Sequence, residues 1–272
     1  MKPMAVIRGA GDLGTAVGRK LLQNGFRVVH LEIAEPLVVR RTVAFASAIF
    51  DGGTATVEGV AARLAADADD ARAITEAGDV AVLIDPGAAS LPALEPVVLV
   101  DAILAKRNTG TRRAMAPFVV GLGPGFTAGV DVHAVVETCR GADLGRVITE
   151  GAARPDTGIP GEVGGVTAAR VLRASRAGTF RALRYIGDPV RAGDPVAESG
   201  GEVVRPTIAG VLRGILHSGL TVRSGQKVGD VDPRGDRALC FRISDKANAV
   251  AAGVLHAVFR AEEALAPEGR AR

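Results

Sequence analysis

The stretch that most constrains this chain is GAGDLG, with glycines at Gly9, Gly11 and Gly14. It follows the apolar run Ala5-Val6-Ile7 and opens DLGTAVGRKLLQN (12–24), which has the apolar spacing of a helix. Gly25 supplies a helix stop, and FRVVHLE (26–32) reads as the next strand after MAVIR (4–8). A G-x-G-x-x-G turn between a strand and a helix suits an anion on the helix N-terminus. Gly9 permits the tight turn, Gly11 lets a pyrophosphate approach the backbone, and Gly14 allows close helix–strand packing. Glu32 closes the second strand about twenty residues on, where a carboxylate can accept both ribose hydroxyls. The candidate binding residues here are Gly9, Ala10, Gly11, Asp12, Leu13, Gly14 and Glu32. The same glycines would also serve a turn with no ligand, and Asp12 either competes with a phosphate or caps the helix.

Apolar runs bounded by turn residues recur at VAVLID (80–85), VVLVDA (97–102) and FVVGLG (118–123). The Ala-rich stretch 57–78 has helical spacing, and the alternation predicts a parallel sheet covered by helices. GLGPGFTAG (121–129) is a second glycine-rich loop at the end of a predicted strand. Gly121, Gly123 and Gly125 therefore join the candidates, with an irregular connector as the other reading. Past residue 130, DVHAVVET and GRVITEG flank a turn and read as a hairpin, with a helix over 131–139 as the alternative.

An internal repeat follows. AGTFRALRYIGDPVRAGDPVA (177–197) and AGVLRGILHSGLTVRSGQKVG (209–229) align without gaps at an offset of 32 residues. Eight identities in twenty-one positions set this apart from chance. Each copy reads as two short strands around a glycine turn, too small to bury its apolar face alone, so the copies should close on each other. KANAVAAGVLHAVFRAEEALA then has helical spacing, with Ser244 or Asp245 placed to cap it.

These readings give an α/β fold with a Rossmann-like parallel sheet, a small all-β domain and a C-terminal helix. The expected boundaries are a nucleotide- or dinucleotide-binding domain at 1–130, a hairpin and Gly/Pro-rich connector at 131–170, the β domain at 171–233, and a segment at 234–272 whose helix packs on the first domain.

With 47% apolar residues the 272-residue chain can build a sizeable core. A net charge of +3, interspersed signs and 3% aromatics argue against a nucleic-acid partner. No apolar run reaches membrane-spanning length and no signal peptide is evident, so a cytoplasmic protein without a membrane partner is expected. His133, near Asp131 and Glu137, lacks a second His or Cys at ligand spacing, and no metal is expected. Cys139 and Cys240 read as ordinary thiols, and DPRGDR (232–237) as either a self-satisfied ion-pair cluster or an anion or partner site. No Ser-His-Asp or paired-carboxylate arrangement stands out, so no catalytic residue is nominated.

The blocks IRGAGDLGTAV, EPLVVRRTVAFASAIFDG, GLGPGFTAGVDVHAVVET, GRVITEGAARPDTGIPGEVGG and GDVDPRGDRALCFRISDKANAV resemble, over nearly the whole chain, the selenium-dependent molybdenum hydroxylase accessory family (YqeB-type). The resemblance implies a maturation factor for a xanthine dehydrogenase-like client enzyme. The opening is similar to the Rossmann part of XdhC-type chaperones, which implies molybdopterin cytosine dinucleotide or another nucleotide as ligand. The repeat resembles a biotinyl/lipoyl barrel-sandwich. Its tip, AESGGEVVRP (197–206), has Gly200-Gly201 and no lysine, and Lys227 lies in a later strand, so carrier chemistry is absent. The alternatives are an NAD-dependent oxidoreductase and a non-catalytic scaffold docking a client enzyme, with a homo-oligomer left open.

Overall fold

In the computed structural model, which describes residues 2–265, the first apolar run forms β1 (Met4–Arg8), buried along its whole length. The chain then makes helix α1 (Asp12–Gln23) and strand β2 (Arg27–Glu32). Gly25, at φ +91°, turns the backbone out of the helix, as the sequence predicts. Further strands are β3 (Val60–Ala65), β4 (Val80–Ile84), β5 (Val98–Asp101), β6 (Phe118–Leu122), β7 (Ala134–Val136) and β8 (Val147–Ile148). Helix α2 (Ala68–Glu76) precedes β4, and α3 (Asp245–Leu265) is the long terminal helix. The chain is thus mixed α/β, with one large mixed sheet, several small sheets and a C-terminal helix.

It divides into two units, Met1–Ile33 with Ala62–Asp156 and Ser244–Arg272, and Ala34–Ala61 with Thr157–Ile243. These cut the chain differently from the sequence boundaries. The post-130 hairpin and the terminal helix belong to the first unit, and residues 34–61 to the second. The sequence segment beyond residue 265 lies outside the described residues.

In the first unit the sheet order is β8-β7-β6-β5-β1-β2-β4-β3. All these neighbours are parallel except β7 and β8. The sheet is therefore mixed rather than parallel throughout, because the hairpin joins its edge and no helix forms over 131–139. Helix α3 packs on α1, β6 and β7. Its N-terminus is capped by Ser244, whose Oγ accepts the Ala247 N–H at 3.1 Å.

The helix expected over 57–78 is corrected to a strand followed by a short helix. Asp67 is extended (φ −154°) and its carboxylate accepts the Asp70 N–H, so α2 cannot begin earlier. Residues 62–65 pair instead with β4, burying Ala62 and Ala65. Alanine content favours helix only weakly, and tertiary pairing overrides it here.

The second unit holds two four-stranded antiparallel sheets. One is ordered Val171–Arg173, Lys227–Asp232, Gly210–Ile215, Pro189–Val190; the other Glu202–Val204, Ala197–Ser199, Gly178–Ala182, Thr221–Val222. The repeat copies close on each other, but not as two separate hairpins. The first two strands of a copy lie in different sheets, and each pairs with the other copy. Gly178 stands opposite Val222, and Val190 opposite Gly210, the same contact shifted by the repeat offset. Phe180 opposite Ser199 and Leu212 opposite Val231 repeat a second contact. Phe180 and Leu212 are fully buried, so the exchange builds one core from both copies.

Gly178 (φ +140°) and Gly210 (φ +159°) occupy matching crowded positions. A Cβ on Gly178 would lie 2.7 Å from the Gly200 Cα, and one on Gly210 would lie 2.3 Å from the Asp232 carbonyl oxygen. Gly178→Ala and Gly210→Ala should each destabilise the fold by about 2 kcal/mol or more. Urea unfolding midpoints check this; an unchanged midpoint in either variant would show that the two copies are not locked together at these glycines.

Candidate functional site

The strand order places β2, β4 and β3 on one side of β1, and β5, β6, β7 and β8 on the other. Loops leaving the carboxyl ends of β1 and β5 therefore diverge and leave a crevice. The glycine turn stands at this point. Gly9 (φ +99°) brings its position against the Ala102 carbonyl, where a Cβ would lie 2.8 Å from the oxygen. A Cβ on Gly14 would lie 2.3 Å from the Gly9 carbonyl oxygen. Both glycines are explained by packing. Gly11 is not explained by backbone conformation: at φ −68° and ψ −175° it is extended, as any residue can be. It is the N-cap of α1, and no side chain caps the helix there. The first intrahelical bond runs from the Thr15 N–H to the Gly11 carbonyl, so the Asp12–Gly14 amides precede it.

Glu32 closes against this turn. Its Oε2 accepts the Ala10 N–H at 2.8 Å and its Oε1 accepts the Ile33 N–H at 2.9 Å. Burial pushes its carboxyl above the usual range, although both backbone bonds pull the other way. Beneath the turn His30 is fully buried, and its Nδ1–H donates to the Gly9 carbonyl at 3.0 Å. Burial pushes His30 down to about 4 against the effect of that hydrogen bond, so the ring is neutral near pH 7. A Cβ on Gly18 would lie 2.3 Å from the His30 Nε2. The sequence reading missed both; the signal was a histidine inside an apolar strand and one more glycine on the facing helix.

A buried polar cluster ties the strand ends together and was also missed. Arg8 Nη1 and the Thr111 Oγ1 are 2.5 Å apart, and the Thr111 hydroxyl reaches Asp101 Oδ2 at 2.5 Å. Arg8 also faces that carboxylate at 3.5 Å and donates to the Pro86 carbonyl. All three side chains are buried, and the Ile103 N–H takes the other Asp101 oxygen. A charged residue ending each of the apolar runs MAVIR and VVLVD was the available clue.

The second glycine loop has packing reasons of its own. A Cβ on Gly121 would meet the Phe126 ring, one on Gly123 the Thr138 hydroxyl, and one on Gly125 the Arg107 backbone. The loop therefore clamps residues near 107 and 138 beside the crevice. His133 Nδ1 accepts the Val119 N–H, and burial with the nearby Arg113 charge lowers its pKa. Among the described residues no group of three or more metal-ligating side chains is assembled, and no helix is long and apolar enough to cross a membrane. A cleft of about 630 Å³ walled by Ala88, Leu91, Arg112 and Met115 includes none of the candidate residues. In the second unit the DPRGDR segment finds its partners internally. Burial raises the Asp232 carboxyl, but bonds from Arg234 and the charges of Arg213 and Arg234 outweigh it and hold it low. Asp236 caps the next turn through the Ala238 N–H.

No family model matches the chain. It is 49% identical over 255 residues to the uncharacterized protein YqeB of Escherichia coli (strain K12), covering 94% of this chain and 47% of that protein. The chain thus spans about half the length of the curated relative. Solved structures similar to it include the ectoine utilization protein EutE (DoeB) of Ruegeria pomeroyi, at 16% identity and TM-score 0.26. An aspartoacylase family protein of Mesorhizobium loti (13%) and a succinylglutamate desuccinylase/aspartoacylase of Rhodobacter sphaeroides (15%) have the same TM-score of 0.26. Each covers 85% of both chains, and that TM-score is too low to bring an activity here.

These findings correct the accessory-family assignment. The relative is itself uncharacterized, so the likeness to it brings no maturation role. Maturation of a selenium-dependent molybdenum hydroxylase, and the xanthine dehydrogenase client that came with it, fall with that assignment. The physical reason is that shared sequence blocks, like glycine turns and hairpin repeats, specify a backbone and its packing, not which chemistry it serves.

A neutral buried His30 makes stability depend on acid. Between its ordinary value of 6.5 and about 4 the unfolded chain takes up the proton that the fold refuses, so stability falls as pH drops through that window. The loss should reach about 2 kcal/mol by pH 4.5. Urea midpoints at pH 7 and 4.5 test this: His30→Gln should lose less on acidification than the unaltered chain, and equal losses would show that His30 is not the group responsible.

Proposed function

We propose that the first unit binds a nucleotide, with its pyrophosphate on the first turn of α1 and its ribose hydroxyls on Glu32. The observation that carries this reading is Gly11. Its conformation does not need glycine, it stands at the N-terminus of a helix, and it follows the central strand β1, where the strand order reverses. A backbone without a Cβ at that place lets a phosphate reach the amides. The order β4-β2-β1-β5-β6-β7 supports a Rossmann-like arrangement, since it repeats the 3-2-1-4-5-6 order of that fold.

Each nominated residue then has a distinct task. Gly9 and Gly14 let strand and helix approach, and Ala10 is pinned by Glu32. Gly11, Asp12, Leu13 and Gly14 supply backbone to the phosphates, with the helix dipole adding attraction. Glu32 keeps acceptor capacity beyond its two amide bonds, since an ionised carboxylate can accept about four hydrogen bonds. Gly121, Gly123 and Gly125 shape the far wall of the crevice. Cys139 and Cys240 are free thiols, which suits a reducing, cytoplasmic compartment.

The test is thermal denaturation with and without ATP, CTP or NAD. A nucleotide at about one hundred times its Kd should add about 2.7 kcal/mol and raise Tm. Gly11→Val should abolish the rise, because its backbone can keep the observed conformation while the Cβ branch blocks the phosphate. A Tm indifferent to every nucleotide, or a rise that survives Gly11→Val, would overturn the assignment.

A further inference from the structure

The cleft of about 630 Å³ takes no part in the nucleotide reading, and both of its walls are fixed from within the fold. One wall runs from Gly87 to Pro96, in the connection from β4 to β5, which contains a single helical turn (Leu91–Leu94). The other runs from Arg112 to Pro117 and leads into β6. At the carboxyl end of β1 the buried Arg8 side chain joins them. It donates to the Pro86 carbonyl and reaches the Thr111 hydroxyl, on the residues just before Gly87 and Arg112. At the amino end the Val97 N–H donates to the Met4 carbonyl and the Phe118 N–H to the Val97 carbonyl. Val97 and Phe118 directly follow Pro96 and Pro117, so the cleft spans the length of β1, about 13 Å for its five residues.

The first wall holds its shape without a ligand. The Asp85 carboxylate accepts the Ala89 and Ser90 N–H groups and the Ser90 hydroxyl, which closes the turn before Leu91. Arg72 donates twice to the Ala93 carbonyl and faces Glu95 at 3.6 Å, so this wall is tied to α2 and the Glu95 charge is already balanced. Ala88 and Glu95 are in left-handed conformation, at φ +57° and +47°, which residues other than glycine rarely adopt. Backbone strain of this kind persists where the surroundings over-determine it, and it collects at binding sites.

The floor between the walls is apolar. Ala88 and Leu91 belong to the core of the first unit, and Met115 and Ala116 pack against it. The prolines of the walls add apolar surface and no N–H donor. One charge stands beside this floor without a counter-charge. Arg113 commits its guanidinium to the Gly129 carbonyl at 2.7 Å, whereas Arg112, which lines the cleft, has no carboxylate partner among the described residues. An apolar trough with a guanidinium at one end suits a chain that ends in a carboxylate. The guanidinium can fork onto both carboxylate oxygens, and each methylene laid on the floor adds affinity.

We infer that this cleft binds a small amphipathic monocarboxylate, with its carboxylate on Arg112 and its alkyl chain along Leu91 and Met115 towards Pro96. A second carboxylate at the far end would lose hydration beside Glu95, where Arg72 is already engaged, so a dicarboxylate of the same length is selected against. The inference is independent of the nucleotide reading and uses neither the glycine turn nor Glu32.

NMR titration of the full chain, isotopically labelled at its methionine methyls, tests it with octanoate, butanoate, octanol and octanedioate. Met115 lines the cleft, while Met4 is buried in β1. The Met115 methyl signal, assigned by its loss in Met115→Leu, should shift on adding octanoate. Octanoate should bind about tenfold tighter than butanoate, octanol or octanedioate. Arg112→Gln should bring octanoate down to the level of octanol, and Arg112→Lys should restore part of the difference. Arg112 is exposed, so both variants should keep the urea midpoint of the unaltered chain. Octanol or octanedioate binding as tightly as octanoate, or octanoate affinity indifferent to Arg112→Gln, would overturn the inference. So would a Met115 methyl that does not move with octanoate. Gly11-dependent nucleotide binding would stand in each of these cases.

Discussion

The first unit is organised around one backbone carbonyl, that of Gly9. It lies where the chain leaves the central strand and enters α1, and two groups converge on it. The Cα of Gly14 approaches so closely that any side chain there would strike the oxygen. The His30 ring donates to it from the neighbouring strand. Gly9 itself presses on the Ala102 backbone at the end of β5. The helix, β2 and β5 are thereby fixed to one point, which sets how far the crevice opens. Neutral His30 is required by this arrangement: its Nδ1–H must point at the carbonyl, while the ring lies deep against Gly18 where a charge would be costly.

The second unit uses a different constraint, exchange between repeated copies, and the copies differ in how they treat charge. Arg181 pairs with Glu198 at the surface. Their counterparts are Arg213 and Asp230, and both are buried. There the simple pair has dissolved into a network: Asp230 is taken by Arg170, while Arg213 turns to Asp232 beside Arg234. Asp232 stands where the first copy has Gly200. A symmetric scaffold thus acquired buried ion pairs on one side only. Such pairs add little net stability but tolerate few alternatives once a partner is removed.

Much of this was legible in the sequence because it depends on local pattern. The strands at 4–8, 27–32, 80–84, 98–101 and 118–122 come from apolar runs bounded by turn residues, and the repeat from its register. Three things were not local. The helical spacing of 57–78 could not reveal that Ala62 and Ala65 find a better partner in β4. The repeat could not reveal that its strands pair with the other copy. Residues far apart in sequence, Arg8 with Asp101 and Thr111, become neighbours only after the sheet has formed. Candidate residues in the glycine turn were therefore readable, while the buried cluster of Arg8, Asp101 and Thr111 beside it was not. The accessory-family assignment failed for another reason: it rested on sequence blocks spread over the chain, and likeness in sequence to an uncharacterized relative carries no activity with it.

The electrostatics of the crevice also separate it from a generic dinucleotide turn. An acidic residue at the first helical position lowers the affinity of a helix N-terminus for phosphate. Asp12 holds that position, so an anion over the turn would have to compete with a carboxylate at the same helix end. The close contacts at Gly9 and Gly14 set reach and orientation there, and the attraction an anion would meet is what the first amides of α1 supply less what Asp12 withholds.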